Sequence, residues 1–117
     1  MKLPPLNEGE TYIGCVGDKN GDAYHIILLP GDNEATTWFS QCAWAESIGG
    51  DLPNRAEMAL LHMTHRNMFH PKTIYWTNEV YSDSALAQSF HPHHESGSFF
   101  RYYTQHSRAR AVRRLPI

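Results

Sequence analysis

Strand-like segments lie on both sides of two consecutive helical segments, and this order limits the fold more than any other feature of the chain. Near the N-terminus, GETYIGCVG (9–17) and AYHIILLP (23–30) alternate like strands, and the Asn-Gly between them favours a hairpin turn. After residue 72 follow TIYWTNEVY, ALAQSFH, SFFRYYTQ and SRARAVRRL, which are also strand-like. A hairpin, two helices and then a run of strands predict an α+β fold with an antiparallel sheet.

The two helical segments carry start and stop signals. In TWFSQCAWAESIGG, Thr36 or Thr37 can cap the first helix, and Gly49-Gly50 ends it. In DLPNRAEMALLHMTH, Asn54 and Glu57 have the spacing of a capping box. The expected apolar faces are Trp38, Cys42, Ala45 and Ile48 in the first helix and Leu60, Leu61, Thr64 and Met68 in the second. The PGDNEAT segment before them is expected to be a polar loop.

Size and composition fit one domain at residues 1–117, with its core at about 8–115 and an ordinary hydrophobic share of 41%. The longest apolar run, Ile26–Leu29, is far shorter than the roughly 20 residues that a membrane-spanning helix needs. The start, MKLPPLNEGE, lacks the apolar segment of a secretory signal. We therefore expect a cytoplasmic protein without membrane contact, in which Cys15 and Cys42 are reduced, buried packing residues.

The segment SRARAVRRLPI (107–117) contains four of the seven arginines of the chain. It alternates between small or apolar residues and long cations: Ala109, Ala111 and Leu115 against Arg108, Arg110 and Arg114, with Val112 on the cationic side. This alternation predicts a half-buried closing strand and not a disordered basic arm. Residues 1–60 hold nine acidic and three basic residues, and residues 61–117 hold three and seven, so we expect the two halves to neutralise each other across the fold.

Three blocks of the sequence together resemble a known family. TWFSQCAWAESIGGDLPNRAEMALL, YWTNEVYSDSALAQSF and the terminal RARAVRRL occur in the order found in domain of unknown function 1566, the Lcl C-terminal domain family of bacterial and prophage genomes. The resemblance covers roughly residues 8–115. Where the family usually has threonine or serine, this chain has Asn54, and where it usually has serine, this chain has Thr77. Both replacements keep a side-chain oxygen.

The resemblance implies a C-type-lectin-like fold, with two helices packed on a twisted antiparallel sheet and the N- and C-terminal strands side by side. It also implies the short, free-standing phage or prophage type of the domain. The calcium-dependent sugar site of true C-type lectins is not expected, because WTNE lacks their adjacent Asn-Asp pair and their paired cysteines are missing. The catalytic cysteine pair of formylglycine-generating enzymes, whose fold is similar, is not matched either.

One segment resembles the start of a calcium loop. Asp18, Asn20 and Asp22 have the spacing of the first EF-hand ligands, but Ala23 and Leu29 stand where that loop needs a glycine and a bidentate glutamate. The hairpin turn is therefore the preferred interpretation.

The HPHHE segment is the other candidate for metal binding. It comprises His91, His93, His94 and Glu95, of which His91 and His93 are weak candidates for zinc, nickel or copper ligands. Solvated histidines in a variable loop are the preferred interpretation, so we predict neither a native metal nor a cofactor.

We find no pattern of a catalytic nucleophile. No serine lies in a Gly-x-Ser-x-Gly elbow, and no loop has the Gly-Lys-Ser/Thr end that cradles phosphate. Since both cysteines are expected to be buried and unreactive, the protein is predicted not to be an enzyme.

The remaining candidates are aromatic and basic residues near the C-terminus. Together with the histidine segment, the candidate binding residues are Phe99, Arg101, Tyr102, Arg108, Arg110 and Arg114. The alternative left open is structural: Phe99 or Phe100, Tyr103 and Trp76 fill the core, while the arginines are solvated or pair with the acidic half.

The preferred hypothesis is a binding module of phage or prophage origin that recognises a host or phage protein through variable loops around residues 65–72 and 81–98. One alternative is a nucleic-acid-binding accessory protein that uses Arg101, Arg108, Arg110 and Arg114. Another is a glycan-binding, lectin-like receptor module. A homo-oligomer is also compatible with an exposed aromatic face.

Overall fold

The structure, a computed structural model, describes residues 3–92 and 97–117. Within these residues it is an α+β fold with two α-helices and two sheets. The strands are β1 (Thr11–Gly17), β2 (Ala23–Leu28), β3 (Asn33–Thr36), β4 (Ile74–Tyr81), β5 (Ser84–Ser89), β6 (Ser98–Tyr102), β7 (Ser107–Ala109) and β8 (Val112–Pro116). The helices are α1 (Trp38–Ser47) and α2 (Arg55–Thr64), and a short 3₁₀ helix follows at Arg66–Met68. No helix in these ranges is long and apolar enough to cross a membrane.

The N-terminal hairpin forms as the Asn-Gly turn predicts. Strands β1 and β2 pair antiparallel, and the Asp18 carboxylate accepts hydrogen bonds from the backbone N–H groups of Asn20 and Asp22 at 2.8 and 3.1 Å. Gly21 adopts a φ of +85°, a conformation that residues with a side chain rarely take. The residues that resembled a calcium loop therefore build the turn.

The C-terminal strand β8 returns to the N-terminal hairpin. It pairs antiparallel with β2, which gives a three-stranded sheet in the order β1-β2-β8. The first and last strands were expected to lie side by side, and this is wrong. The last strand, β8, pairs with the second strand, β2, and β1 forms the edge of the sheet. The central position of β2 has a physical reason: Ile26, Ile27 and Leu28 are all 0% exposed, so both faces of this strand are covered.

The other strands form a five-stranded sheet in the order β3-β7-β4-β5-β6. The predicted single antiparallel sheet is therefore wrong, since there are two sheets and β4 meets β7 in parallel at Tyr75 and Arg108. The PGDNEAT segment, expected to be a loop, contains β3. It pairs with β7, and the buried side chain of Gln41 donates to the carbonyl of Glu34 at 2.8 Å. The polar composition of this segment predicted a loop, but hydrogen bonds to residues outside the segment stabilise a strand.

The last predicted strand is two strands that belong to different sheets. Between β7 and β8, the Ala111 carbonyl accepts from the Leu29 N–H at 2.9 Å, and Val112 and Asp51 exchange two backbone hydrogen bonds of 2.9 Å. The predicted alternation is wrong at this point, because Arg110 is only 7% exposed. A change of sheet interrupts the two-residue period on which the prediction depended.

Both helices begin where the sequence predicts. Thr37 caps α1 by accepting from the Ser40 N–H at 3.3 Å. Asn54 and Glu57 form both halves of the capping box of α2, each at 2.8 Å. Gly49 follows α1 with a φ of +84°, as expected for a helix end.

The buried helix faces match the predicted apolar faces only in part, at Ala45 and Leu61. In α1 the buried residues are Gln41 and Ala45, whereas Trp38 and Cys42 are half-buried and Ile48 is 40% exposed. In α2 the buried residues are Glu57, Met58 and Leu61. Two polar side chains, Gln41 and Glu57, thus occupy core positions because they bond to groups that are distant in sequence.

The core consists of two clusters. One joins α2 to the three-stranded sheet and contains Ile26, Leu28, Met58, Leu61, Phe69, Tyr75, Phe90 and Val112. The other joins α1 to the five-stranded sheet and contains Leu29, Ala45, Leu52, Trp76, Ala85, Ala87, Ala109 and Ala111. Small residues predominate around Trp76, so that its large ring fits between helix and sheet.

Candidate functional site

Two of the C-terminal arginines pair with single carboxylates from the acidic half. Arg108 Nε lies 2.8 Å from Asp32 Oδ1, and Arg113 Nη2 lies 2.8 Å from Glu10 Oε1. The side chains of both arginines are 22% exposed, so these pairs are partly shielded from solvent. These pairs connect β7 to Asp32, just before β3, and β8 to Glu10, just before β1.

Arg114 binds a fully buried carboxylate, while its own side chain is 29% exposed. Its Nε and Nη2 donate to the two carboxylate oxygens of Glu57 at 2.6 and 2.7 Å, and its Nη1 donates to Asp51 at 2.9 Å. The Glu57 side chain is 0% exposed. The hydrogen bonds from Arg114 to Glu57 raise the pKa of this arginine. These contacts and those of Arg108 and Arg113 confirm the expected neutralisation between the two halves.

Arg110 is buried, and no described residue forms an ion pair with it. Its Nη1 and Nη2 donate to the carbonyls of Met68 and Leu29, both at 2.8 Å, and its guanidinium lies 5.7 Å from the centroid of the Phe69 ring. Burial lowers the pKa of Arg110. The guanidinium therefore connects Met68, in the 3₁₀ helix after α2, to Leu29, the residue that follows β2.

These contacts bear on the nucleic-acid hypothesis. Arg108, Arg110 and Arg114 do not form a shared exposed basic face, because each guanidinium has internal partners. Phosphate binding there would have to compete with these bonds. Nucleic-acid binding stays a prediction that the positions of these three arginines do not favour.

The Glu10–Arg113 pair leads to a prediction about pH. The hydrogen bond from Arg113 lowers the pKa of Glu10 from its ordinary 4.5 to about 2. Since the pKa is lower in the folded state, the carboxylate stabilises the protein above pH 4.5, and this contribution is lost as the pH falls towards 2. We expect Glu10→Gln to lower the free energy of unfolding by on the order of 1 kcal/mol at neutral pH.

Urea unfolding at neutral pH and at a pH between about 2 and 4.5 measures this effect. The loss in Glu10→Gln should shrink at the lower pH. Glu8→Gln is the matched control, because Glu8 is exposed and belongs to the same segment. An equal loss at both pH values would contradict the assignment.

A surface of exposed aromatic residues lies at the β6 edge of the five-stranded sheet. We define the β6 surface as Tyr81, Phe99, Phe100, Arg101 and Tyr102. The aromatic side chains are 73%, 39%, 45% and 58% exposed, in that order. Strand β6 is the edge of the five-stranded sheet, and it pairs with β5 alone among the described strands. Three of the predicted binding residues, Phe99, Arg101 and Tyr102, therefore come together here.

The backbone of β6 offers hydrogen-bonding groups at the outer edge. Ser89 N–H donates to the Gly97 carbonyl at 2.7 Å, and Tyr103 N–H donates to the Asp83 carbonyl at 3.1 Å. In an antiparallel ladder alternate residues bond to the neighbouring strand. The odd-numbered residues of β6 therefore bond to β5, and the backbone N–H of Phe100 points away from it.

An open groove of about 480 Å³ adjoins this edge. It is lined by Tyr81, Ser82, Asp83, Ser84, Phe100, Arg101, Tyr102 and Gln105. The guanidinium of Arg101 lies 6.0 Å from the centroid of the Phe99 ring, and its Nη2 is 3.5 Å from the His106 carbonyl. Within the described ranges Arg101 forms no ion pair, and its buried Nε has no hydrogen-bond partner. Arg101 thus brings a cation to the groove, and the Asp83 that also lines the groove forms no ion pair with it.

The connection at residues 65–72 lines a smaller groove of about 370 Å³ together with Asp32. The Asp32 carboxylate accepts hydrogen bonds from the Tyr75 hydroxyl and from Arg108. The Tyr75 hydroxyl in turn accepts from the His70 N–H at 2.9 Å, and burial with the Asp32 bond raises the pKa of Tyr75 to about 12. These polar atoms already bond to one another, so we favour the β6 surface as the functional site.

The histidine segment is only partly described. His91 Nδ1 lies 3.0 Å from the Ser89 hydroxyl. His93, His94 and Glu95 lie outside the described residues, and their role stays a prediction. Among the residues that are described, no group of three His, Cys, Asp or Glu side chains is placed to hold a metal ion.

The two cysteines differ from each other. Cys42 is half-buried on α1, and burial raises the pKa of its thiol to about 11, which suits a packing residue. Cys15 is exposed, so the expectation that it is buried is wrong. It lies on the edge strand β1, where a register shift between Tyr12 and Gly14 interrupts the pairing with β2. An apolar sequence around a cysteine did not reveal that its strand is at an edge.

No protein-family model, curated protein or solved structure matches this chain. The resemblance to domain of unknown function 1566 stays a prediction.

Sequence reasoning missed one member of the β6 surface and misjudged another. Tyr81 was not among the named binding residues, although the predicted loop range 81–98 begins there, and its ring centroid lies 6.0 Å from that of Phe100. The expectation that Phe99 or Phe100 fills the core is wrong, because no described layer covers the edge strand. Trp76 is fully buried as expected, and Tyr103 packs partly buried against the second core cluster. The aromatic end of TIYWTNEVY was the available signal for Tyr81.

Proposed function

We propose that this protein is a non-enzymatic binding module that holds a partner protein on its β6 surface. The observation that carries the proposal is an edge strand with exposed aromatic side chains on both faces. An exposed, apolar edge strand is a template for pairing with another chain. Aromatic and arginine side chains also contribute most of the binding energy in many protein–protein interfaces.

The partner that fits this edge is an extended segment with an acidic side chain. Its backbone would bond to the outward groups of β6, as in recognition by strand addition. Phe99 and Phe100 are consecutive and lie on opposite faces, so each can contact a different set of the partner's side chains. The acidic side chain would meet Arg101, with which no described carboxylate forms an ion pair.

The proposal includes a C-type-lectin-like fold, a phage or prophage origin and action in the cytoplasm, all expected from the sequence. The fold class is supported by two helices that follow the N-terminal hairpin and by the return of β8 to pair with β2. A second, largely antiparallel sheet carries the proposed binding edge, separate from these terminal strands.

The test is affinity purification of the tagged protein from its host cells after nuclease treatment, with variants beside the wild type. We expect a partner protein to be retained by the wild type and weakened about tenfold or more by Phe100→Ala combined with Tyr102→Ala. The control is Met63→Ala, because Met63 is an exposed apolar residue on α2, 77% exposed. It should retain the partner fully.

A second pair of variants tests backbone pairing. Phe100→Ala removes the ring and keeps the N–H, whereas Phe100→Pro removes both. The N–H of Phe100 points away from β5, so the proline removes no bond of the β5–β6 ladder. We expect Phe100→Pro to weaken binding more than Phe100→Ala, measured by calorimetry with the isolated partner.

A partner retained equally by the wild type and all β6 variants would contradict the proposal. Loss of every partner on nuclease treatment would favour the nucleic-acid alternative. Self-association that the β6 variants abolish would identify a second copy as the occupant, and binding to glycans in place of proteins would support the receptor-module alternative.

A further inference from the structure

Three side chains on β1 and β2 form a cluster of a thiol, a phenol and an imidazole. Cys15 and His25 face each other across the two strands. The Tyr12 hydroxyl lies 2.7 Å from His25 Nδ1 and 3.1 Å from Cys15 Sγ, and Sγ lies 3.6 Å from Nδ1. The thiol belongs to an exposed residue, whereas His25 is 5% exposed. We call these three residues the thiol cluster.

The distances define a path for a proton. A phenol has one proton to donate and an oxygen that accepts. When the Tyr12 hydroxyl donates to Nδ1 of His25, its oxygen can accept from the thiol of Cys15. The thiol proton can therefore reach the imidazole through the hydroxyl, which leaves a thiolate beside a cationic ring. A thiolate, and not a thiol, is the nucleophile in cysteine chemistry.

We propose that Cys15 is a reactive thiol that forms mixed disulfides with low-molecular-weight disulfides, with His25 as the proton acceptor and Tyr12 as the relay. The Cys15 sulfur attacks one sulfur of the disulfide, a new S–S bond forms and the old one breaks. The leaving thiolate takes the proton from the imidazolium and departs as a thiol. The incoming disulfide is the oxidant, so one protein thiol is oxidised and one small thiol is released.

The two arginines of β8 are paired with carboxylates. On β8, Arg113 bonds to Glu10 and Arg114 bonds to Glu57, which also accepts from the Tyr24 hydroxyl at 2.7 Å. From α2, the side chain nearest to Gly14 is that of Leu60, which is apolar. The His25 imidazole is placed to take the thiol proton through the Tyr12 hydroxyl.

The experiment exposes the folded protein to oxidised glutathione and follows mixed-disulfide formation at each cysteine by peptide mass spectrometry. We expect Cys15 to react about tenfold or more faster than Cys42, which burial protects. At neutral pH, Tyr12→Phe and His25→Gln should slow Cys15 about threefold or more. The slowing should shrink in alkaline solution, where hydroxide removes the thiol proton. A purely structural effect of these substitutions would not depend on pH in this way.

Cys15→Ser supplies the background for the mass measurement. If His25→Gln fails to fold because His25 is buried, Tyr12→Phe decides the question, since Tyr12 is only half-buried. Equal rates for Cys15 in the wild type and in Tyr12→Phe at neutral pH would overturn the proposal. Faster modification of Cys42 than of Cys15 would overturn it as well.

Discussion

Replacing Glu57 by glutamine is expected to lower the free energy of unfolding by about 3–5 kcal/mol. The Glu57 carboxylate is fully buried and accepts four hydrogen bonds: two from Arg114 at 2.6 and 2.7 Å, one from Tyr24 at 2.7 Å and one from the Asn54 N–H at 2.8 Å. A glutamine has one oxygen and an NH₂ group at these positions. Its NH₂ would face donors, and the guanidinium of Arg114 would keep only Asp51 as a countercharge.

The measurement is urea unfolding of both proteins at neutral pH, with Glu79→Gln as the matched control. Glu79 lies 3.9 Å from Arg55 Nε, with side chains 42% and 59% exposed, respectively, and it accepts from the Arg55 backbone N–H at 3.1 Å, a bond that a glutamine oxygen can keep. Exposed pairs contribute about 1 kcal/mol or less, so the control should remain close to the wild type. A loss in Glu57→Gln no larger than in Glu79→Gln would show that the buried carboxylate does not hold α2 to β8.

Gly50→Ala is expected to destabilise the protein by about 2–3 kcal/mol and to lower its melting temperature by roughly 10 °C. An added Cβ would lie 2.5 Å from Leu29 Cδ1, 2.8 Å from the Val112 carbonyl oxygen and 3.3 Å from Ala111 Cβ. The Val112 oxygen is backbone and accepts from the Asp51 N–H at 2.9 Å, so it cannot move without loss of that bond. The clash falls where the chain passes from one sheet to the other.

Gly49→Ala is the matched control, because the two glycines are adjacent but Gly49 has a positive φ and open surroundings. Gly49 has a φ of +84°, which an alanine adopts at a cost of about 1 kcal/mol, but no atom lies within 4 Å of its added Cβ. Thermal unfolding of the two variants should therefore rank Gly50→Ala as the less stable. The reverse order would mean that the backbone at Gly50 is not closely packed.

The hairpin turn and the helix starts could be predicted because they depend on neighbours in the sequence. Asp18 bonds to Asn20 and Asp22 within the same turn, and Asn54 bonds to Glu57 three residues away. Such contacts form whatever the rest of the chain does. The α+β class follows from the same local patterns taken in order.

The candidate site depended on more distant contacts and was predicted only in part. Aromatic residues in SFFRYYTQ indicated a binding surface, but the sequence did not show that β6 is at an edge. That position follows from the order of five strands and leaves Phe99 and Phe100 both exposed. The same limitation explains Cys15, which seemed buried in an apolar strand and is exposed on the edge strand β1.

The sequence alone determined the hairpin turn, the helix starts, the α+β class and the charge difference between the two halves. Only the tertiary structure decided what the arginines do. Arg108 meets Asp32 across 76 positions and Arg113 meets Glu10 across 103. A two-residue period indicates which side of a strand a residue faces, but not which distant group lies on that side. The burial of Arg110 followed from the passage of the chain between two sheets, which brought its guanidinium to the carbonyls of Leu29 and Met68.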